Sequence, residues 1–100
     1  MLKISIVNSS KNCRLVLEGA LVPPWTAEVN TACELARVNL DGRALVVDLK
    51  DVMTISEEGE EVLLALMGDG IKLRSKDVFT KYVLKQIARR IRRGLQKTKR

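Results

Sequence analysis

The sequence predicts an α/β domain with a four-stranded mixed sheet, in the order β-β-α-β-α-β-α, with helices mainly on one face. Short segments rich in branched apolar residues alternate with longer segments whose apolar residues recur every three or four positions. Turn-forming residues separate these segments. The chain has 100 residues, of which 46% are hydrophobic. That is enough for one domain with a single core.

The first two strands are predicted over residues 2–7 and 13–19. Residues 2–7 alternate in polarity and are rich in β-branched side chains, which suits a strand. The intervening segment NSSKN consists of residues that favour tight turns. Because a short polar turn joins the two strands, we expect an antiparallel hairpin.

A first helix is predicted between the prolines at 23 and 24 and the Asp41-Gly42 pair. Prolines have no amide donor, so they end the second strand. The helix starts either with Pro24 in its first turn or with Thr26 as its N-cap. Its predicted apolar stripe consists of Val29, Cys33, Ala36 and Leu40.

The third strand is predicted over residues 43–52. Its run ALVV is apolar without alternation, which is typical of a strand buried on both faces. A strand–helix–strand unit requires a right-handed crossover. The second and third strands are therefore expected to lie parallel.

The second helix is predicted within residues 53–70, a short fourth strand over 71–75, and the third helix from Asp77 to Gly94. Thr54 or Ser56 can cap the second helix, and four glutamates crowd its start, where the helix dipole favours acids. Its predicted buried face is Val62, Leu63, Leu66 and Met67. The third helix has a predicted apolar stripe of Phe79, Val83, Leu84, Ile87, Ala88 and Ile91.

Composition excludes several classes of function. The chain has no histidine, so it cannot hold a serine–histidine triad, a histidine general base or a common zinc site. Cys13 and Cys33 form no CxxC pair, and we interpret them as buried thiols in a reducing compartment. No apolar stretch approaches the ~20 residues of a membrane span, and the first apolar run is too short for a signal peptide. We expect a cytoplasmic chain without metal or cofactor.

The net charge of +6 is unevenly distributed. Residues 1–80 hold nine Lys or Arg and all twelve acids, whereas residues 81–100 hold nine Lys or Arg and no acid. The body of the domain is therefore mildly acidic, and the basicity is C-terminal. The glutamates around the second helix are expected to attract cationic partners.

The segment DLKDVMTISEEG at residues 48–59 resembles the STAS domain, the family of anti-sigma-factor antagonists. The family segment is a strand that ends in Asp-Leu, a Val three residues on, and Asp-Ser-Ser-Gly at the start of a helix. The matching positions are Asp48, Leu49, Val52, Ile55 and Gly59. The LEG motif at 17–19 and the following proline loop add to the resemblance. It implies a single STAS-like domain over residues 1–94 and a basic tail over 95–100.

The sequence departs from the family pattern at the phosphorylated position. Phosphorylation switches of this family carry Ser or Thr before the glycine, and here Glu58 precedes Gly59. A glutamate accepts no phosphoryl group by that chemistry and carries about one negative charge, against about 1.5 to 2 for phosphoserine. Glu58 is either a permanent imitation of the phosphorylated state or a constitutive contact for a basic partner. Thr54 and Ser56 are displaced from that position, and we interpret both as caps.

The resemblance implies a bacterial, non-enzymatic module of signal transduction and transcription regulation. It would dock on an anti-sigma factor, a serine kinase-like protein or another signalling scaffold, at the strand ends where open α/β sheets bind partners. The predicted partner-binding residues are Trp25, Asp51, Thr54, Ser56, Glu57, Glu58, Gly59 and Glu61. Trp25 is either a half-exposed anchor or a core plug. The alternative for residues 48–59 is a capped helix start that only stabilises the fold.

The basic stretch at residues 85–100 supports a second hypothesis. Eight of its sixteen residues are Lys or Arg, and basic amphipathic helices bind nucleic acid or acidic membranes. The predicted polyanion contacts are Lys85, Arg89, Arg90, Arg92 and Arg93. No aromatic residue interleaves them, so stacking on single-stranded bases is not expected. The alternative is a packing helix with a solvated charged face.

Overall fold

A computed structural model describes the backbone of residues 1–98 and the side chains of residues 1–93. Its elements follow the predicted order. They are β1 Leu2–Asn8, β2 Asn12–Leu21, α1 Trp25–Val38, β3 Ala44–Ile55, α2 Glu57–Gly68, β4 Lys72–Arg74 and α3 Val78–Thr98. The sheet order is β1-β2-β3-β4, with β1 antiparallel to β2 and the other two pairs parallel. The predicted α/β class and mixed four-stranded sheet are confirmed.

One core lies between the three helices and one face of the sheet. Alternate residues of β2 and β3 point into it, among them Leu15, Leu17, Val47 and Leu49, all fully buried. The helices contribute the fully buried residues Val29, Leu63 and Ile87. Burying each such side chain stabilises the fold by roughly 1.5–3 kcal/mol. Because all three helices share this core, they lie on the same side of the sheet.

β3 is longer than the sequence predicts. The prediction ends the strand at residue 52, but pairing of Thr54 and Ile55 with Ala20 and Leu21 of β2 carries it to Ile55. β2 itself continues to Leu21 before the prolines end it. A single residue, Ser56, therefore separates β3 from α2.

α1 starts one residue later than the prediction that placed Pro24 in its first turn. Pro24 occupies the N-cap position without a side-chain cap bond, and Trp25 is the first helical residue. Thr26 lies inside the helix with a buried side chain, so its prediction as the N-cap is wrong. After the helix, Asp41 and Gly42 both have positive φ, at 51° and 82°, which reverses the chain toward β3.

α3 differs from its prediction at both ends. The Asp77 carboxylate accepts a hydrogen bond from the Thr80 amide at 2.9 Å and one from its hydroxyl at 3.1 Å, which lets Thr80 be fully buried. Phe79, predicted in the apolar stripe, is 60% exposed instead. The helix does not end at Gly94 but continues to Thr98, through four residues of the predicted tail. Residues 99–100 of that tail lie outside the described residues.

None of the helices within residues 1–98 combines the length and the apolar composition that a membrane span needs.

Candidate functional site

The start of α2 is fixed to the end of β2 through Ser56. Its hydroxyl oxygen accepts a hydrogen bond from the Gly59 amide at 3.1 Å, and its own amide donates to the Leu21 carbonyl at 3.1 Å. This geometry confirms the predicted cap role of Ser56. Thr54, the other predicted cap, lies inside β3 opposite Ala20 and does not cap the helix.

Gly59 lets α2 approach the sheet closely. A Cβ at this buried position would overlap the Leu21 carbonyl oxygen and come within 3.1 Å of Ile55 Cγ2. The glycine of the motif is therefore required by packing. Because Glu58 immediately precedes Gly59, the close approach of α2 to the sheet also fixes the position of the Glu58 side chain.

A groove of about 580 Å³ lies between α1 and α2, and we call it the α1–α2 groove. Its α2 wall contains Glu58 and Glu61, which lie one helical turn apart and are both exposed. The remaining lining residues are Thr26, Ala27, Asn30, Val62 and Ala65. Among residues 1–93, no lysine or arginine lines the groove, so its α2 wall is acidic.

An ion pair spans the opposite end of the two helices. The Arg37 guanidinium donates to the Asp69 carboxylate with an Nη2–Oδ2 distance of 2.9 Å. Both side chains are partly exposed, so the pair contributes at most about 1 kcal/mol. It connects the last turn of α1 to the residue that follows α2. Arg37 and Asp69 line a separate cavity and not the α1–α2 groove.

The predicted partner-binding residues do not form one surface. Only Glu58 and Glu61 line the α1–α2 groove, while Glu57 is exposed on the first turn of α2. Asp51 is exposed on β3 and borders a separate cavity with Met53 and Phe79. The other members have structural positions, Ser56 as the cap and Gly59 in the helix–sheet contact.

Trp25 is half-buried and packs against the core. It does not line the α1–α2 groove. Of the two roles that the sequence left open, this position favours the plug. The indole packs the first turn of α1 against the core.

The candidate polyanion residues lie on α3 and are exposed. Arg90 is drawn toward α2, with its Nη1 3.8 Å from Oε1 of Glu60. This contact places the cationic helix beside the acidic start of α2. The remaining cations of the set, Lys85, Arg89, Arg92 and Arg93, face solvent.

The contribution of α1 to the groove was not predicted. The sequence contains a weak indication of it, because Ala27 and Asn30 are three residues apart on the face away from Val29. Ala65 of α2 is also small. Small residues on two neighbouring helices leave space between them, but only the packing shows that these helices are neighbours.

The described side chains include one thiol, that of Cys33, with a shifted pKa. Burial raises the pKa of the Cys33 thiol from 9.0 to about 11, so the thiol stays protonated and a poor nucleophile at neutral pH. Within residues 1–93, no three Cys, Asp or Glu side chains come together as a metal site.

No family model and no curated protein matches this chain.

Proposed function

We propose that this chain is a non-enzymatic, cytoplasmic protein-binding module of the STAS type in bacterial signalling. Its partner is an anti-sigma factor, a serine kinase-like protein or a related scaffold of transcription regulation. One observation carries the proposal. The exposed carboxylate of Glu58 lies on the wall of the α1–α2 groove, where the family's phosphorylation switches have a hydroxyl.

The groove has the character of a protein-docking site. It is open, it presents the carboxylates of Glu58 and Glu61, and it is also lined by small and apolar residues such as Ala27, Val62 and Ala65. A carboxylate pair one turn apart complements a basic side chain of a partner. A partner helix or loop that inserts between α1 and α2 would bury these small and apolar residues and pair with Glu58 and Glu61.

The test measures binding to a purified serine kinase of the anti-sigma class by titration calorimetry. If Glu58 makes a direct contact, Glu58→Gln weakens binding by up to about fivefold, since an exposed ion pair contributes up to about 1 kcal/mol. If Glu58 imitates the phosphorylated state, Glu58→Ser binds more tightly than the wild type. The matched control is Asp41→Asn, which also removes one exposed carboxylate and keeps a residue that tolerates positive φ. No binding by either the wild type or Glu58→Ser would refute the proposal.

A second candidate function is association with a polyanion through α3. It is favoured by the four solvent-facing cations of this helix and by the extension of the helix to Thr98. The apolar side of α3 is used for packing, because Val83, Leu84 and Ile87 contact the core. The cationic side therefore remains available to an anionic surface.

A further inference from the structure

The side of the sheet opposite the helices carries an excess of positive charge, and we call it the open sheet face. It bears a shallow cavity of about 410 Å³ lined only by residues of the strands and of the segment after β4. Strand register places six cations on or beside this face: Lys3, Arg14, Lys50, Lys72, Arg74 and Lys76. The carboxylates on it are Glu18 and Asp48, with Asp51 at its edge.

The carboxylates on this face lie close enough to pair with only some of its cations. Glu18 lies directly across from Lys3 in the antiparallel pair. Asp48 lies beside Arg74 in register, and its Oδ2 is 4.0 Å from Nε of Arg14. That distance is too long for a hydrogen bond. Within the described part of the chain, the buried Nε of Arg14 has no hydrogen-bond partner.

Three further cations make no ion pair within residues 1–93: Lys50, Lys72 and Lys76. They are exposed. The open sheet face can therefore accept additional carboxylates. The apolar residues of its cavity are the branched Val7 and Val16, and no aromatic side chain among the described residues lines that cavity. The exposed Phe79 borders Lys50 in a separate cavity at its edge.

The part of the helical side formed by α1 and α2 has the complementary charge, whereas α3 on the same side is cationic. The α1–α2 groove presents Glu58 and Glu61, and Glu28, Glu34 and Glu57 are exposed on the two helices that form it. Glu34 lies four residues after Asn30 and so continues the groove-facing stripe of α1. The acidic groove and the basic face are on opposite sides of one sheet.

We propose that the open sheet face of one copy docks on the α1–α2 groove of a second copy. Charge complementarity selects this occupant, since the carboxylates of the groove are the partners that the surplus cations require. Because the two surfaces differ, the contact is head-to-tail. Each copy that docks through one surface still has its other surface free to bind a further copy. The inference uses the groove of the proposed function. A second copy in the groove would compete with the signalling partner, but self-association does not require that partner.

The first test is sedimentation velocity of the full chain over a range of protein concentrations. At about 0.1 M salt the weight-average mass should rise with concentration. It should return to that of a monomer at about 1 M salt, where the screening length falls from about 10 Å to about 3 Å. A mass that stays monomeric at low salt, or association that survives high salt, would overturn the proposal.

Paired variants locate the contact. Lys50→Gln with Arg74→Gln changes the open sheet face, and Glu58→Gln with Glu61→Gln changes the groove. Each pair should raise the dissociation constant about tenfold through the loss of two exposed ion pairs. The control, Lys85→Gln with Arg89→Gln, also removes two positive charges, here from α3, and should leave association unchanged. An equal effect of this control would show a general charge effect and contradict the proposal.

Mixing the variants distinguishes head-to-tail contact from a symmetric dimer. The face variant retains its groove and the groove variant retains its face, so an equimolar mixture should form dimers and nothing longer. A mixture that stays monomeric would contradict the geometry. If the face variant loses binding to duplex DNA but still self-associates, the open sheet face binds nucleic acid and the proposal is wrong. Because the face variant keeps its groove, it should still bind the signalling kinase, which separates this inference from the proposed function.

Discussion

The backbone of Gly59 lies so close to the carbonyl oxygen of Leu21 that no Cβ fits between them. The contact joins the first turn of α2 to the last residue of β2. Gly59→Ala should destabilise the fold by about 1–3 kcal/mol, because either the helix or the strand must move. Urea unfolding followed by circular dichroism measures this change.

The control for this substitution is Gly68, at the other end of α2. A Cβ there meets nothing within 4 Å. Gly68→Ala should be neutral or stabilising by up to about 1 kcal/mol, since alanine favours the helix. Equal losses of stability in Gly59→Ala and Gly68→Ala would contradict the steric explanation.

The Ser56 cap predicts a second difference in stability. Ser56→Ala removes the acceptor of the Gly59 amide and should lower the free energy of unfolding by about 1 kcal/mol. Thr54→Ala, two residues earlier on the exposed side of β3, should cost less than about 0.5 kcal/mol. Thermal unfolding of both variants beside the wild type is sufficient. A larger loss for Thr54→Ala would contradict the assignment of the cap.

Phosphorylation should depend on restoring a hydroxyl at position 58. A serine kinase of the anti-sigma class with labelled ATP should leave the wild type unlabelled, because Glu58 has no acceptor and Ser56 is half-buried in its cap. Glu58→Ser places a hydroxyl on the exposed first turn of α2 and should be labelled. Phosphopeptide mass spectrometry identifies the site. Label on Ser56 of the wild-type chain would show that the switch is retained elsewhere.

Polyanion binding, if it occurs, should depend on α3 and on salt. Lys85→Gln with Arg89→Gln removes two solvent-facing cations without changing the buried residue Ile87. Binding to duplex DNA should weaken, and the slope of log affinity against log salt should decrease by roughly 2. Fluorescence anisotropy at several salt concentrations measures both. Asp41→Asn is the control with an unchanged cation count. An unchanged slope in the α3 variant would exclude this helix as the binding surface.

The chain order of the elements and the directions of the first three strands could be predicted from local patterns. The polar turn after residues 2–7 indicates an antiparallel pair, and the helix between β2 and β3 indicates that these two strands are parallel. The position of β4 beside β3 was not predicted. The cap at Ser56 and the role of Asp77 were also predictable, since caps depend on neighbours within three residues.

The features that were missed depend on contacts between distant segments. β3 reaches Ile55 because Leu21 pairs with it, and no local pattern indicates that extension. Phe79 and Thr80 are adjacent, so helical spacing alone allows either to face the core. The Asp77 carboxylate decides the choice by satisfying the Thr80 hydroxyl.

The candidate site was predictable only in part for the same reason. Glu58 and Glu61 follow from sequence position, but their shared groove depends on how α1 packs beside α2. The positive charge of the open sheet face arises from residues of all four strands, such as Lys3 and Arg74. When the charge is divided along the chain alone, the basicity falls entirely at the C-terminus.

The buried thiol of Cys33 predicts how stability changes at alkaline pH. Burial raises its pKa from 9.0 to about 11, so between these values the unfolded chain loses the proton and the folded chain keeps it. Deprotonation therefore favours the unfolded state. The contribution of Cys33 to stability is complete below about pH 9, and it should fall by on the order of 2 kcal/mol as the pH rises to about 11. Cys33→Ala lacks this group and is the reference protein. Urea unfolding of both proteins across this range should show the difference in stability decreasing, and parallel curves would mean that the Cys33 thiol ionises equally in the folded and unfolded chains.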